Sequence, residues 1–184
     1  MAIKNVLWRP LLGVKNELSP EFYTLMRDPN STTKFFKEVC GASFFLKLLG
    51  QDVQAITASE AEILKISVQT ALVRRISMGN HPTPWLIGRT VFHPDLMNKP
   101  AGHVFMHLGE QPLGEVLFKE PSLVRLPFEI ALIESYHEEH VWITDFTTEA
   151  VWARRSVFYY KDYPILLTEF FLKSMLLLCL KMRI

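Results

Sequence analysis

Residues 69–78, with the sequence QTALVRRISM, indicate a β-strand whose two faces differ in polarity. The even positions, from Thr70 to Met78, are more apolar than the odd ones. The even face is therefore predicted to lie against a core. A second β-rich stretch, residues 85–92, follows after residues 79–84, whose glycine, asparagine and prolines are typical of a turn. The two stretches together predict an antiparallel hairpin.

A second hairpin is predicted near the C-terminus, where the β-rich residues 151–160 and 163–172 flank Lys161 and Asp162. Shorter segments predict the other elements, which are a helix at 20–27 capped by Ser19, a strand at 43–49, a turn at 50–52, a helix at 58–64 capped by Ser59, and a helix at 112–118. Hairpins joined by short helices are typical of an α+β fold. We therefore predict a single antiparallel β-sheet with helices packed on one face.

The composition limits the number of domains and the kinds of partner. At 184 residues the chain can form one sizeable core but not two ordinary domains, so a single domain over 1–184 is expected. A net charge of +1 provides no field to hold a polyanion, and no nucleic-acid partner is expected. The two cysteines, Cys40 and Cys179, are too few for a disulfide framework and lack the spacing of a zinc site.

Neither a secretory signal nor a membrane-spanning segment is predicted. The first ten residues have no apolar core of the kind that a signal peptide needs. The most hydrophobic stretch, residues 165–180, is interrupted by Glu169 and Lys173 and falls short of the roughly 20 apolar residues of a spanning helix. We therefore expect a cytoplasmic protein.

Strand alternation sends the neighbours Arg74 and Arg75 to opposite faces, with Arg74 towards the core and Arg75 towards solvent. An inward guanidinium cannot shed its charge, so it needs an internal acid or a bound anion. A structural pair with a buried carboxylate, or an Arg74 that extends to solvent from the strand end, would leave the residue without any function in binding.

Glu169 is expected to be buried whichever face it occupies, because both faces of its strand are mostly apolar. Such a carboxylate has either a cation partner, or a raised pKa that suits proton transfer and hydrogen bonding. A pair with Arg74 or Arg155 would make Glu169 a structural residue only.

The predicted strands carry more positive than negative charge. They hold one glutamate against four arginines, which are Arg74, Arg89, Arg154 and Arg155. Arg154 and Arg155 are adjacent, so one must face each side of the sheet. The excess favours an anionic ligand, although Asp145 or Glu149 could still neutralise it.

The sequence contains no motif for metal, nucleotide or nucleophile chemistry. His103 and His107 are four residues apart but have no third ligand nearby, so they are interpreted as surface residues. No GxSxG motif, phosphate-binding loop or dinucleotide fingerprint is present. We expect no metal and no cofactor.

Four segments, in order and with similar spacing, resemble the chorismate lyases. They are PWLIGRTV (84–91), PLG (112–114) leading to LF (117–118), WARRS (152–156) and PILLTEFFL (164–172). A fifth, STTK (31–34), resembles a further and weaker stretch of the family. The resemblance covers roughly residues 19–172.

The resemblance implies a lyase that converts chorismate to 4-hydroxybenzoate and pyruvate, a family whose usual role is to supply 4-hydroxybenzoate for ubiquinone. It implies a buried pocket under flap-like segments, in which Arg74 and main-chain groups near Thr32 and Leu113 hold the ring carboxylate. Glu169 meets the ring hydroxyl, so Arg74 and Glu169 are the expected catalytic residues. The expected substrate-binding residues are Arg74, Thr32, Leu113, Gly114, Glu169 and Arg155, the last either at the pyruvyl carboxylate or in a structural pair.

The chain departs from the family in three places. Thr32 stands where a larger apolar residue is typical, and the segment between 122 and 152 is longer than in compact members. The tail after about residue 172 is extra, and it could face a partner or a membrane surface. We expect a monomer, with a dimer through this tail as the alternative. The alternative function is a non-catalytic sensor of an aryl or carboxylate ligand, since effector domains of some transcription regulators resemble this fold.

Overall fold

Eight antiparallel strands form one sheet within residues 5–182, which the computed structural model describes. The strands run in the order β1-β6-β7-β8-β4-β3-β2, and β5 pairs with β7 on the β6 side. Their bounds are β1 Arg9–Pro10, β2 Phe44–Ala55, β3 Thr70–Asn80, β4 Thr83–Phe92, β5 Val124–Arg125, β6 Glu129–Ile133, β7 Val151–Tyr160 and β8 Tyr163–Phe171.

The helices are short and lie between the strands, except for one at the C-terminal end of the described chain. The α-helices are α1 Pro20–Arg27, α2 Thr32–Cys40, α3 Ala58–Leu64, α4 Pro94–Met97, α5 His103–Met106, α6 Leu113–Leu117 and α7 Lys173–Met182. 3₁₀ helices occupy Leu11–Glu17, Gly41–Ser43, Pro100–Gly102 and Glu138–Trp142.

Both predicted hairpins are present, as β3–β4 and β7–β8. The helix at 20–27 is also confirmed, and the Ser19 hydroxyl accepts a hydrogen bond from the Phe22 amide as its cap. The predicted turn at 50–52 is wrong, because β2 continues to Ala55 through a bulge that absorbs the irregularity near Gly50.

Two other local predictions need correction. The cap of α3 is Thr57 rather than Ser59, and Thr57 forms a capping box with Glu60. Helix α2 was not predicted, although Ser31 caps it in the same way as Ser19 caps α1. The apolar residues of α2, Phe35, Phe36, Val39 and Cys40, are at helical spacing, so the sequence did contain the signal for this helix.

The sheet is covered on both faces. Helices α1, α2 and α7 pack on one face around Phe22, Phe36 and Phe171, and α4, α5 and α6 extend the same layer. The predicted α+β class with a single antiparallel sheet is confirmed. On the opposite face, α3 packs through Leu64, and residues 134–150 lie over Ile87 and its neighbours.

The predicted tail forms α7, which packs back onto the sheet rather than extending away from it. Met175 and Cys179 are fully buried in the core, while Leu177 and Leu180 are half exposed. That the tail contacts a partner or a membrane stays a prediction, and its residues 183–184 lie outside the described range. Within residues 5–182, no helix is both long enough and apolar enough to span a bilayer.

Candidate active site

A cavity lies between the helical layer and the strands β3, β4 and β8. Its empty space, including the open mouth, is about 530 Å³. The starts of α2 and α6 form its roof. Its lining residues are Asn30, Ser31, Thr32, Thr33, Arg74, Ile76, Met78, Leu86, Gly88, Thr90, Leu113, Gly114, Leu117, Phe118, Arg125, Phe158, Leu167 and Glu169.

Arg74 is buried in the cavity wall without a counter-ion. Its side chain is directed to this face by the alternation of β3, as predicted, and only 1% of the residue is exposed. Nη2 donates to the carbonyl oxygens of Gly109 and Gln111, both at 2.9 Å, and Nε has no acceptor. No carboxylate forms an ion pair with Arg74 in the described part of the chain. Burial lowers the pKa of Arg74 to about 10, so it stays protonated at neutral pH.

Glu169 also faces the cavity, and it is held by two neighbours. Arg154, on the adjacent strand, donates from Nε to Oε2 at 2.8 Å, and its Nη2 lies 2.7 Å from the same oxygen in an ion pair. The Thr32 hydroxyl donates to Oε1 at 2.6 Å and accepts from Arg154 Nη2 at 2.7 Å. The partner of Glu169 is thus Arg154, and not the Arg74 or Arg155 considered from the sequence.

Arg154 links this carboxylate to the loop after α1. Its Nη1 donates to the main-chain oxygens of Leu25, Met26 and Asp28 at 3.1–3.2 Å. Arg154 is 1% exposed, so its charge is satisfied entirely by protein groups. The orientation of Glu169 is therefore set by the core of the protein.

Gly88 keeps space open between the two charged groups. It pairs with Glu169 on one side and with Ile76 on the other in the sheet. A Cβ atom at this position would lie 2.9 Å from Ile76 Cγ1. Arg74 and Glu169 therefore share one cavity floor, and the glycine between them contributes no side chain.

Three residues for which substrate binding is predicted line the roof of the cavity, and their role in binding stays a prediction. Leu113 and Gly114 begin α6, and Thr32 begins α2. A Cβ on Gly114 would come within 3.3 Å of the Ser31 hydroxyl and closer to the Phe118 ring, so the glycine permits the two helices to approach.

The prediction that Arg155 lines the pocket is wrong, because it lies on the opposite face of the sheet. Its Nε donates to Glu129 at 2.8 Å, its Nη1 donates to the Ser59 hydroxyl at 2.8 Å, and it stacks on the Trp8 ring. The alternative, a structural pair, is what the structure contains. Strand alternation assigns the cavity face to its neighbour Arg154.

Arg75 also faces away from the cavity, but the prediction that it points to solvent is wrong. It is half-buried beneath residues 134–150, and its Nη2 donates to the Trp142 carbonyl. Arg89 lies in the same layer, paired with Glu60 at 2.8 Å and stacked under the Trp142 ring at 3.8 Å. Arg89 is thus neutralised within the protein, whereas the Nε of Arg75 is buried without an acceptor in the described part of the chain.

One charged residue of the cavity was not predicted. Arg125 lies on the two-residue strand β5 and lines the cavity together with Arg74. Its sequence neighbours, Leu126 and Pro127, show no strand alternation that could have assigned it a face. Glu149, one candidate for neutralising the excess charge, instead pairs with Lys173 at the surface.

No three acidic, histidine or cysteine side chains within residues 5–182 come together as a metal site. His103 and His107 are both exposed. The charged groups that line the cavity are the side chains of Arg74 and Arg125 and the fixed carboxylate of Glu169.

The sequence and the fold are similar to those of known proteins. The family model described as chorismate lyase matches residues 2–179. A probable chorismate pyruvate-lyase of Methylococcus capsulatus is 35% identical over 148 residues, covering 79% of this chain and 91% of the relative. One of Hydrogenovibrio crunogenus is 31% identical over 171 residues, covering 92% and 91%.

Among solved structures, the effector domain of PhnF from Mycobacterium smegmatis matches with a TM-score of 0.53 at 14% identity. The match covers 78% of this chain and 89% of that domain. A GntR-family regulator from Bacillus cereus matches with a TM-score of 0.52 at 14% identity, covering 72% and 94%. At this identity the likeness concerns the fold alone.

Proposed function

Because the chain belongs to the chorismate lyase family, and is therefore a lyase, we propose that it converts chorismate to 4-hydroxybenzoate and pyruvate and supplies 4-hydroxybenzoate for ubiquinone biosynthesis. The observation that supports the proposal best is the presence of Arg74 and Glu169 in one cavity. Arg74 is a buried cation with no counter-ion among residues 5–182, and Glu169 is a carboxylate in a fixed orientation.

The reaction needs little chemical help from the protein. Chorismate is a dicarboxylate whose ring is one elimination short of aromatic, so much of the driving force lies in the substrate. The C–O bond to the enolpyruvyl group breaks, the ring carbon that carries the hydroxyl loses its proton, and the released enol gains a proton to become pyruvate. Binding a reactive conformer, excluding water and stabilising the leaving group are tasks for a preorganised site.

Arg74 is assigned to the ring carboxylate. Its hydrogen bonds to Gly109 and Gln111 hold the guanidinium in place with neutral acceptors only. A bound carboxylate would supply the missing negative charge in a dry site, where charge-assisted hydrogen bonds are strongest.

Glu169 is assigned to the ring hydroxyl as a hydrogen-bond acceptor. An ionised carboxylate has about four acceptor positions, and Arg154 and Thr32 leave some of these free. The hydroxyl is on the ring carbon that loses its proton. A hydrogen bond from this hydroxyl to Glu169 would therefore hold the ring in a conformer that can eliminate.

The alternative function is a non-catalytic sensor, since effector domains share this fold. A shared fold does not imply a shared function, and a sensor would bind an aryl carboxylate without converting chorismate. Turnover of chorismate therefore distinguishes the two functions.

We expect the purified protein to release 4-hydroxybenzoate and pyruvate from chorismate in equal amounts, with or without a chelator. We also expect 4-hydroxybenzoate to bind in the micromolar range or tighter and to inhibit, because a buried pocket suits an aryl carboxylate. Absorbance assays and calorimetry measure these quantities. Binding of 4-hydroxybenzoate without any turnover would favour the sensor, and activity that a chelator removes and a divalent ion restores would contradict metal-free chemistry.

Thr32 is expected to matter through its hydroxyl. Thr32→Val keeps the shape of the side chain but removes the hydrogen bonds to Glu169 and Arg154. We expect kcat to fall about tenfold, since a hydrogen bond to a charged group contributes about 1.5–3 kcal/mol. The control is Thr33→Val, because Thr33 lines the same cavity and its hydroxyl donates to the Met78 sulfur rather than to a charged group. Equal losses in the two variants would show that the hydroxyl of Thr32 has no special role.

A further inference from the structure

The cavity holds more positive charge than one carboxylate needs. Arg154 is neutralised by Glu169, which leaves Arg74 and Arg125 as cations without a paired carboxylate in the described chain. Chorismate carries two carboxylates, whereas each product carries one. The charge of the cavity therefore matches the substrate better than either product.

Arg125 is anchored so that part of its guanidinium remains available. Its Nε donates to the Ser156 hydroxyl at 3.0 Å, and its Nη1 donates to the Pro29 carbonyl at 2.9 Å. The guanidinium stacks on the rings of Phe128 and Phe158 at 4.2 and 4.5 Å. All of these partners are neutral, and Nη2 has no hydrogen-bond acceptor among residues 5–182. Hydrogen bonds fix Nε and Nη1, and the two rings fix the plane of the guanidinium, so the position of Nη2 is fixed as well.

Arg125 is a partly buried cation that a bound anion would stabilise further. Burial lowers the pKa of Arg125 to about 10, and the nearest charges that act on it are those of Glu169, Arg154 and Asp28. The group remains protonated at neutral pH. A cation held by neutral partners in a largely buried setting is stabilised when a ligand supplies the counter-charge.

Arg74 and Arg125 reach the cavity from opposite sides. Arg74 is on β3 and Arg125 is on β5, and the strands β4, β8 and β7 lie between them. The two backbones are therefore four strand spacings of about 4.8 Å apart. Arg125 is paired with Phe158 in the sheet, on the face that carries Glu169. This arrangement suits a ligand with a carboxylate at each end.

We infer that Arg125 forms a second carboxylate subsite, which holds the enolpyruvyl carboxylate and allows the site to distinguish the dianionic substrate from its monoanionic product. The inference rests on the proposed function, because it takes chorismate as the ligand. It assigns to Arg125 the role that the sequence had suggested for Arg155. After elimination, 4-hydroxybenzoate no longer reaches Arg125, so this subsite favours the substrate.

The test compares ligands with one and two carboxylates. The monocarboxylate is 4-hydroxybenzoate, and the dicarboxylate is a benzoate with the enolpyruvyl ether at its 3-position, which is already aromatic and cannot eliminate. For Arg125→Gln we expect the Kd of the dicarboxylate to rise about 10- to 100-fold, as for the loss of a charge-assisted contact. The Kd of 4-hydroxybenzoate should change less than about threefold. For Arg125→Lys, which retains the charge, the Kd of the dicarboxylate should lie between the values for Arg125→Gln and the wild type.

Arg74→Ala is the matched comparison, and it should raise the Kd of both ligands. Arg125→Gln should also raise the KM for chorismate. If Arg125 has only a structural role, Arg125→Gln should raise both Kd values equally and lower the melting temperature. If Arg125 has no role, neither Kd should change. Either result overturns the inference. Binding of 4-hydroxybenzoate by Arg125→Gln verifies that the variant is folded. If the wild type binds both ligands but does not convert chorismate, the proposed function fails while the binding comparison still decides the role of Arg125.

Discussion

Arg74→Ala is expected to lower kcat/KM for chorismate by at least about a hundredfold. The guanidinium is buried and has no carboxylate partner in the described part of the chain, and in the proposed function the substrate carboxylate supplies its counter-charge. Loss of such a contact at a buried guanidinium costs on the order of 3 kcal/mol. The affinity for 4-hydroxybenzoate should fall in parallel, because the product keeps the ring carboxylate. Steady-state kinetics and calorimetry measure the two effects.

Arg75→Ala is the control, because the residue is adjacent in sequence and faces the other side of the sheet. We expect its rate to stay within roughly threefold of the wild type, although the hydrogen bond to the Trp142 carbonyl is lost. Melting temperatures identify any general damage. A large loss of rate in Arg75→Ala with little change in Arg74→Ala would contradict the assignment of the carboxylate site.

Arg154→Met is expected to cause the largest loss of stability. It leaves the Glu169 carboxylate buried without a counter-ion and removes the donor to three main-chain oxygens after α1. Breaking a buried ion pair costs about 3–5 kcal/mol, which lowers the melting temperature of a domain of this size by roughly 10 °C. Chemical denaturation of the variant and the wild type measures the difference directly.

Two comparisons separate charge from packing. Arg155→Met breaks the pair with Glu129, whose side chain is 36% exposed, and should cost less than half as much. The double variant Arg154→Met/Glu169→Gln removes both buried charges and should recover part of the stability lost in Arg154→Met. If the double variant were less stable than Arg154→Met, the loss would come from packing rather than from an unpaired Glu169.

The parts of the structure that could be predicted depend on local rules. Strand alternation was sufficient to place Arg74 on the core face and Arg75 on the other, and β-rich stretches around short turns were sufficient for both hairpins. The same rule showed that one of Arg154 and Arg155 faces each side, but not which one. That choice depends on where β7 pairs with β8, because this register places Arg154 opposite Glu169.

The errors arise from contacts between segments that are distant in sequence. Arg75 is half-buried because residues 134–150 fold over it, and nothing in its own strand indicates that cover. Arg125 enters the cavity because two residues of β5 pair with the far end of β7. A two-residue strand is too short to carry a periodic pattern.

The cover on the second face has a consequence for mutational tolerance. A sheet with one solvent-exposed face tolerates polar substitutions at every second position of a strand. Here every residue of β4 from Trp85 to Phe92 is buried, and Ile165 and Leu166 in β8 are both fully buried although they face opposite ways. Polar substitutions should therefore be poorly tolerated at every position of β4 from Trp85 to Phe92 rather than at every second one.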